Sequence, residues 1–340
     1  MINLLDLDRD AINALIADRP YRGDQVFQWL YQKRIDDIAK MTNLSKELRE
    51  RIACQAVIAY PSLGDHQVAA DTTEKFAYKL GDGQIIESVL IPEEDHWTIC
   101  ISSQVGCAMG CRFCCTAQLG FKRNLTPGEI LAQVLMPMQL YPDRLFRNIV
   151  VMGMGEPLLN YVNVVQAVRI LADENGPDIS TRRITISTCG IIPHLKTLWE
   201  DTHAGLAVSL NAAIDAKRSE LMPINAKYPL PQLIEALRAY PLPPRRRITI
   251  EYVLLGGVND GLADAKALVK VLHGVRCKVN LIPFNPWPGA PFTAPEPDAV
   301  LAFQSYLKER DFSVLIRRER GRDIQAACGQ LAGGISAGVE

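Results

Sequence analysis

The chain has 340 residues, 48% apolar and 22% charged, with a formal net charge of -1, so it is globular and long enough for one large or two modest domains. A charge this close to zero excludes a global positive field, and any nucleic-acid partner must be held by local basic patches. Nine cysteines, an odd number, point to thiol or metal chemistry rather than a secreted disulfide scaffold.

The N-terminus "MINLLDLDRDAI" carries acids where a signal peptide would carry lysine and arginine, and no window is apolar enough for a membrane span. A cytoplasmic protein with no membrane partner is expected. Residues 1–62 read as a helical module: "DRDAINALIAD", "RGDQVFQWLYQKRI" and "NLSKELRERIACQAVI". In the middle segment Val26, Phe27, Leu30 and Tyr31 share one stripe of a helix. Residues 63–92 change to a β-rich connector, with "EKFAYKL", a "GDGQ" turn and the strand "IIESVLIP". This connector should form a small sheet joining the module to the core.

Residues 93–330 form the core, followed by a tail at 331–340. "TPGEILAQVLMPM" starts a helix with a capping box of Thr126 and Glu129 and with Pro127 at the first helical position. The apolar runs "NIVVMGM", "RITIST", "GLAVSLNA", "RITIEYVLL", "CKVNLIPF" and "FSVLIRR" alternate with helical patterns such as "YVNVVQAVRILAD". Such alternation predicts an α/β fold of buried parallel strands, a partial or complete β/α barrel first and an open doubly wound sheet second. Function should then concentrate at the strand C-terminal ends.

One stretch stands apart: "CISSQVGCAMGCRFCCTAQ", residues 100–118, holds five of the cysteines. Cys107, Cys111 and Cys114 make C-x3-C-x2-C, three thiols on one short loop, which suit three corners of a 4Fe-4S cube. A zinc site would want a fourth Cys or His at finger-like spacing, and Cys115, adjacent to Cys114, is badly placed for that.

This spacing in a β/α chain resembles the radical S-adenosylmethionine enzymes. More closely, "ISSQVGCAMGCRFC", "GFKRNLTPGEI", "VMGMGEPLLN", "RRITIST", "MPIN", "NLIPFNPWPGAP" and "DIQAACGQLAG", with "YRGDQVFQWLYQKRI" and "MTNLSKELR" in the N-terminal module, resemble the RNA methyltransferases of the RlmN and Cfr type, the RlmN branch in particular. The resemblance spans nearly the whole chain and implies a radical SAM partial barrel behind a small helical domain. It implies a 4Fe-4S cluster on Cys107, Cys111 and Cys114, with S-adenosylmethionine held by Gly155, Glu156, Ser187, Ser209, Leu210, Asn211 and Asn285. A glycine permits close backbone approach and a carboxylate pairs with the methionine ammonium. The bland alternative is a strand-to-helix turn at "GMGEP" and turn-capping side chains at the other strand ends.

An adenine C–H is neither acidic nor electrophilic, so displacement cannot methylate it and a radical is required. In the family, the cysteine matching Cys328 takes a methyl group from one S-adenosylmethionine. A second is cleaved at the cluster, the resulting radical activates the S-methyl group, and the carbon joins the base. The cysteine matching Cys100 then forms a Cys100–Cys328 disulfide and frees the product. Glu87 matches the proton acceptor; unaided, a lone strand glutamate reads as a solvated face residue.

The partners implied are 23S ribosomal RNA, transfer RNA beside the anticodon, and an external electron donor such as flavodoxin or ferredoxin. Arg245–Arg247, residues 316–322, Arg182, Arg183, Lys122 and Arg123 are the basic clusters that could meet phosphates. A Cfr-like carbon-8 enzyme would share every catalytic residue, and an iron-sulfur electron carrier would have no use for Glu87, Cys100 or Cys328. Three positions depart from the family pattern: Cys115, Cys189, and Asn211 where histidine is common.

Overall fold

The structure, a computed structural model, describes residues 1–317 and 319–331. Arg318 and all of the expected tail except Leu331 lie outside the described residues.

The N-terminal module packs helices Arg9–Ile16, Pro20–Tyr31 and Lys46–Ala53, capped by Asp8 and Ser45 at the first and third. The stripe Val26, Phe27, Leu30 and Tyr31 is fully buried, each side chain contributing roughly 1.5–3 kcal/mol of apolar burial. The third helix is shorter than expected. It ends at Ala53, and Ala56–Val57 (β2) instead pairs in parallel with Ile2–Asn3 (β1). Two-residue strands carry too little alternation to be read from sequence.

Further along, β3 (Ser62–Val68), β4 (Glu74–Lys79), β5 (Ile85–Pro92) and β6 (Trp97–Cys100) form an antiparallel run. The "GDGQ" turn closes the β4–β5 hairpin with Gly83 at φ 83°, a conformation that favours glycine. A short hairpin of β7 (Gln104–Gly106) and β8 (Phe121–Asn124) brackets the cysteine loop. Then β9 (Phe146–Val151), β10 (Ile184–Thr188), β11 (Gly205–Ser209), β12 (Ile248–Leu254), β13 (Cys277–Pro283) and β14 (Val314–Ile316) follow, all parallel to their neighbours.

These strands make one ten-stranded sheet in the order β14-β13-β12-β11-β10-β9-β6-β5-β4-β3. The connector strands therefore extend the core sheet rather than form one of their own. Within the sheet order β14 and β3 are the two ends, so the barrel is partial. Thr126 and Glu129 make the expected capping box of helix Pro127–Leu140.

The module is fastened to the core's outer helices. Asp6 accepts from the Gly128 N–H at 2.8 Å and from Gln166 through its carbonyl at 2.7 Å. Arg9 pairs with Asp173 at 2.7 Å and Gln28 with Asn175 at 2.9 Å. No helix of the described residues is long and apolar enough to cross a membrane.

Candidate active site

Strand direction gathers the strand C-terminal ends around a single cavity. Its wall includes Cys107, Cys111 and Cys114 from the loop, Gly155 and Glu156 after β9, Ser187 from β10, Ser209 and Asn211 at the end of β11, Asn285 after β13, and both Cys100 and Cys328. Of the expected site residues, Leu210 and Glu87 are not in the wall. Leu210 is buried, its carbonyl accepting from Arg218. Glu87 lies on the β5 face that carries the cavity residues Val89 and Ile91, one strand repeat further back. Its carboxylate is buried 3.6 Å from the Lys75 ammonium. The Ser102 hydroxyl, which donates to the Glu87 carbonyl at 2.6 Å and accepts from the Met154 N–H at 2.8 Å, ties β5 to the "GMGEP" turn.

Close packing requires Gly155 in that turn: at φ 101° an added Cβ would lie 2.6 Å from the Gln104 side chain. The Glu156 carboxylate accepts from the N–H groups of Leu158 (3.0 Å) and Cys189 (2.8 Å), so it caps the next turn while facing the cavity. Burial nonetheless pushes its pKa up. Asn211, at φ 57°, spends its side chain internally: its oxygen accepts from the Val253 N–H at 2.9 Å and its amide faces the Met222 sulfur at 3.3 Å.

Burial likewise raises all three loop thiols, Cys107 to about 12, with Cys114 adding to the shift at Cys107 and Cys111. Among the described residues no three His, Cys, Asp or Glu side chains are grouped closely enough to hold a single metal ion. Three loop thiols facing one cavity fit a cluster held at three corners. Cys115 stays out of the wall; its thiol pKa is raised by burial, then by Cys114 and Glu87.

All nine cysteines are free. Cys328 also borders a second, outward groove lined by Glu93, Glu94, His96, Glu319 and Arg320, so it stands where the inner cavity meets the groove. Cys100, at the end of β6, is buried, and burial followed by Cys328 pushes its thiol up to about 12.

Glu251 escaped the sequence reading, and Arg317 was read only as part of the basic cluster at 316–322. Glu251 in β12 accepts from the Ser187 hydroxyl at 3.0 Å, and its other oxygen has no hydrogen-bond partner. Arg317 lies 3.9 Å from that oxygen and is the one Lys, Arg or His in the cavity wall among the described residues. A charged residue inside the apolar runs "RITIEYVLL" and "FSVLIRR" was the available signal. Among the basic clusters, Arg123 is engaged by Asp82 (2.6 Å) and Glu129 (2.7 Å), which leaves it little freedom to meet a phosphate.

The C-terminal ends of the parallel strands of this partial barrel meet a loop of three cysteines, and residues 101–269 match the radical SAM superfamily, which makes the chain a radical S-adenosylmethionine enzyme. Residues 2–58 match the ribosomal RNA large subunit methyltransferase N-terminal domain. The chain belongs to the RlmN family. It is 48% identical to the dual-specificity RNA methyltransferase RlmN of Syntrophus aciditrophicus, covering 98% of this chain and 97% of that protein. It is 50% identical to the RlmN of Desulfosudis oleivorans, covering 93% and 86%. A radical SAM methyltransferase from Sphaerobacter thermophilus superposes with a TM-score of 0.92 at 42% identity, covering 98% of this chain and all of that one. The protein is an S-adenosylmethionine-dependent methyltransferase that uses a 4Fe-4S cluster.

Proposed function

We propose that the protein methylates carbon 2 of adenosine in 23S ribosomal RNA and in transfer RNA beside the anticodon, with two S-adenosylmethionine molecules per turnover. Cys107, Cys111 and Cys114 hold the cluster, and Gly155, Glu156, Ser187, Ser209, Asn211 and Asn285 surround S-adenosylmethionine, while Leu210, behind the wall with its backbone bonded to Glu251 and Arg218, fixes its neighbours Ser209 and Asn211. When bound, the cluster supplies the electron that makes radical chemistry available.

The observation that carries the reading is the position of Cys328, between the cysteine-loop cavity and an outward groove, with Cys100 in the same wall. A thiol there accepts the methyl group on the inner side and presents the carbon to a base entering from outside. Glu87 takes the proton from the ring carbon. Cys100 then attacks Cys328 Sγ, forming the Cys100–Cys328 disulfide and freeing the base. A target adenine must be unstacked to reach this cavity, which favours a loop or a transiently opened helix.

The helical module, residues 1–62, serves as the RNA-docking element, and 63–92 joins it to the core at 93–330. A flavodoxin- or ferredoxin-like donor supplies electrons in the cytoplasm. Incubation of 23S RNA fragments with the reconstituted protein, S-adenosylmethionine and reductant, then nuclease digestion and mass spectrometry, should give 2-methyladenosine. Exclusive 8-methyladenosine would place the chemistry with the Cfr-type enzymes.

A further inference from the structure

Helix Asp215–Leu221 carries a fully buried arginine, Arg218. Its guanidinium donates to the carbonyls of Leu210 (3.2 Å) and Cys189 (2.7 Å) and to the Asn225 side-chain oxygen at 2.6 Å. All three partners are neutral. Nearby carboxylates are engaged elsewhere: Glu220 by Arg112, Asp264 by Lys217, and Asp215 by the Asn225 amide and the Leu230 N–H. An arginine stays charged, and the one nearby carboxylate not paired with a cation, Asp215, reaches it only through Asn225, so no anion touches the buried guanidinium directly.

One side of that charge faces the cysteine loop: Cys189, whose carbonyl the guanidinium holds, lines the cavity together with Cys107, Cys111 and Cys114. The Arg112 N–H, between Cys111 and Cys114, donates to the Leu221 carbonyl at 3.0 Å, and the helix's next residue, Met222, shares the cavity wall with all three loop cysteines.

We propose that Arg218 is the buried counter-charge of the thiolate-ligated cluster and raises the cluster's reduction potential by stabilising its more negative, reduced state. This rests on the cluster assignment to Cys107, Cys111 and Cys114. Net charge near a cluster is one of the levers that set its potential. A purely structural Arg218, holding three loops together, would need donors but no charge.

The test is an EPR-monitored redox titration of the reconstituted full-length protein, with iron content measured alongside. Arg218→Gln keeps donors and removes the charge; the reduction equilibrium constant should fall on the order of tenfold, about 59 mV for a one-electron couple. Arg218→Lys should restore most of the loss. If Arg218→Gln does not fold, the double exchange Asp215→Asn with Asn225→Asp keeps the arginine and the total charge but brings a carboxylate against the guanidinium, and should shift the potential the same way. An unchanged potential in the exchange variant at full iron content, or an Arg218→Lys loss as large as that of Arg218→Gln, overturns the proposal. A wild-type protein that binds no iron overturns the cluster assignment itself.

Discussion

The Cys115 N–H donates a 2.7 Å hydrogen bond to the Gly329 carbonyl, joining the residue after the last loop cysteine to the residue after Cys328. The Thr116 hydroxyl donates to the Leu331 carbonyl at 2.7 Å, and Gln330 donates to the Pro286 carbonyl at 3.0 Å. The segment bearing Cys328 is thus stitched onto the cysteine loop.

Cys115 uses its backbone in this stitch, while its thiol stays out of the cavity wall. Alanine at Cys107, Cys111 or Cys114 should therefore abolish reconstituted iron binding, and Cys115→Ala should retain it. Iron and sulfide analysis of the four variants decides; cluster loss in Cys115→Ala would show the ligand set to be wrong.

On the proposed roles Cys328 accepts methyl before the base is engaged, so Cys328→Ala should yield neither product nor covalent RNA adduct. Cys100 would act only on the finished adduct, so Cys100→Ala should assemble its cluster, take up methyl on Cys328 and stall as an RNA-linked protein. A denaturing gel with labelled RNA reads this out. If both cysteines merely fill space, either variant should turn over almost normally at a modest stability cost.

Glu87→Gln preserves shape but removes the proposed base. Methyl uptake on Cys328 should persist while product formation falls roughly 10²–10⁴-fold, the usual range for losing a general base. S-methylcysteine content and single-turnover product yield separate the two steps. Undiminished product would reduce Glu87 to the buried partner of Lys75.

Glu74 in β4 makes a prediction about the fold instead. Burial pushes its carboxyl up, but hydrogen bonds from Tyr141, Arg144 and His66 outweigh burial and hold it below its usual 4.5. A depressed folded pKa means that the stabilisation is complete above the unfolded value and is lost as pH falls through the folded one. Glu74→Gln should cost about 2 kcal/mol at neutral pH, and the difference from wild type should shrink below pH ~4. Denaturant titrations at several pH values check both the size and the sign.

The sequence made the cysteine loop and the strand ends legible because both announce themselves locally, one by spacing and the other by apolar runs broken by turns. Glu251 was hidden inside an apolar strand run, and Arg317 was read only as a member of a basic cluster; only the curvature of the sheet shows that both face the cavity. Asn211 was noticed as a departure from the family, but its bonds to Val253 and Met222, and its left-handed backbone, required the third dimension. The continuity of the connector strands with the core was equally illegible, since a hairpin's sequence does not say which sheet its outer edge joins.

The fastening of the N-terminal module through Asp6, Arg9 and Gln28 bears on any attempt to cut the chain down to a minimal catalyst. Its apolar stripe belongs to the same continuous core as the barrel's helices. A fragment beginning near residue 62 would bare the oily flank of helices Pro127–Leu140 and Tyr161–Ala172 and strand the Gly128 amide without its acceptor. The modular look of the sequence therefore does not translate into separable parts.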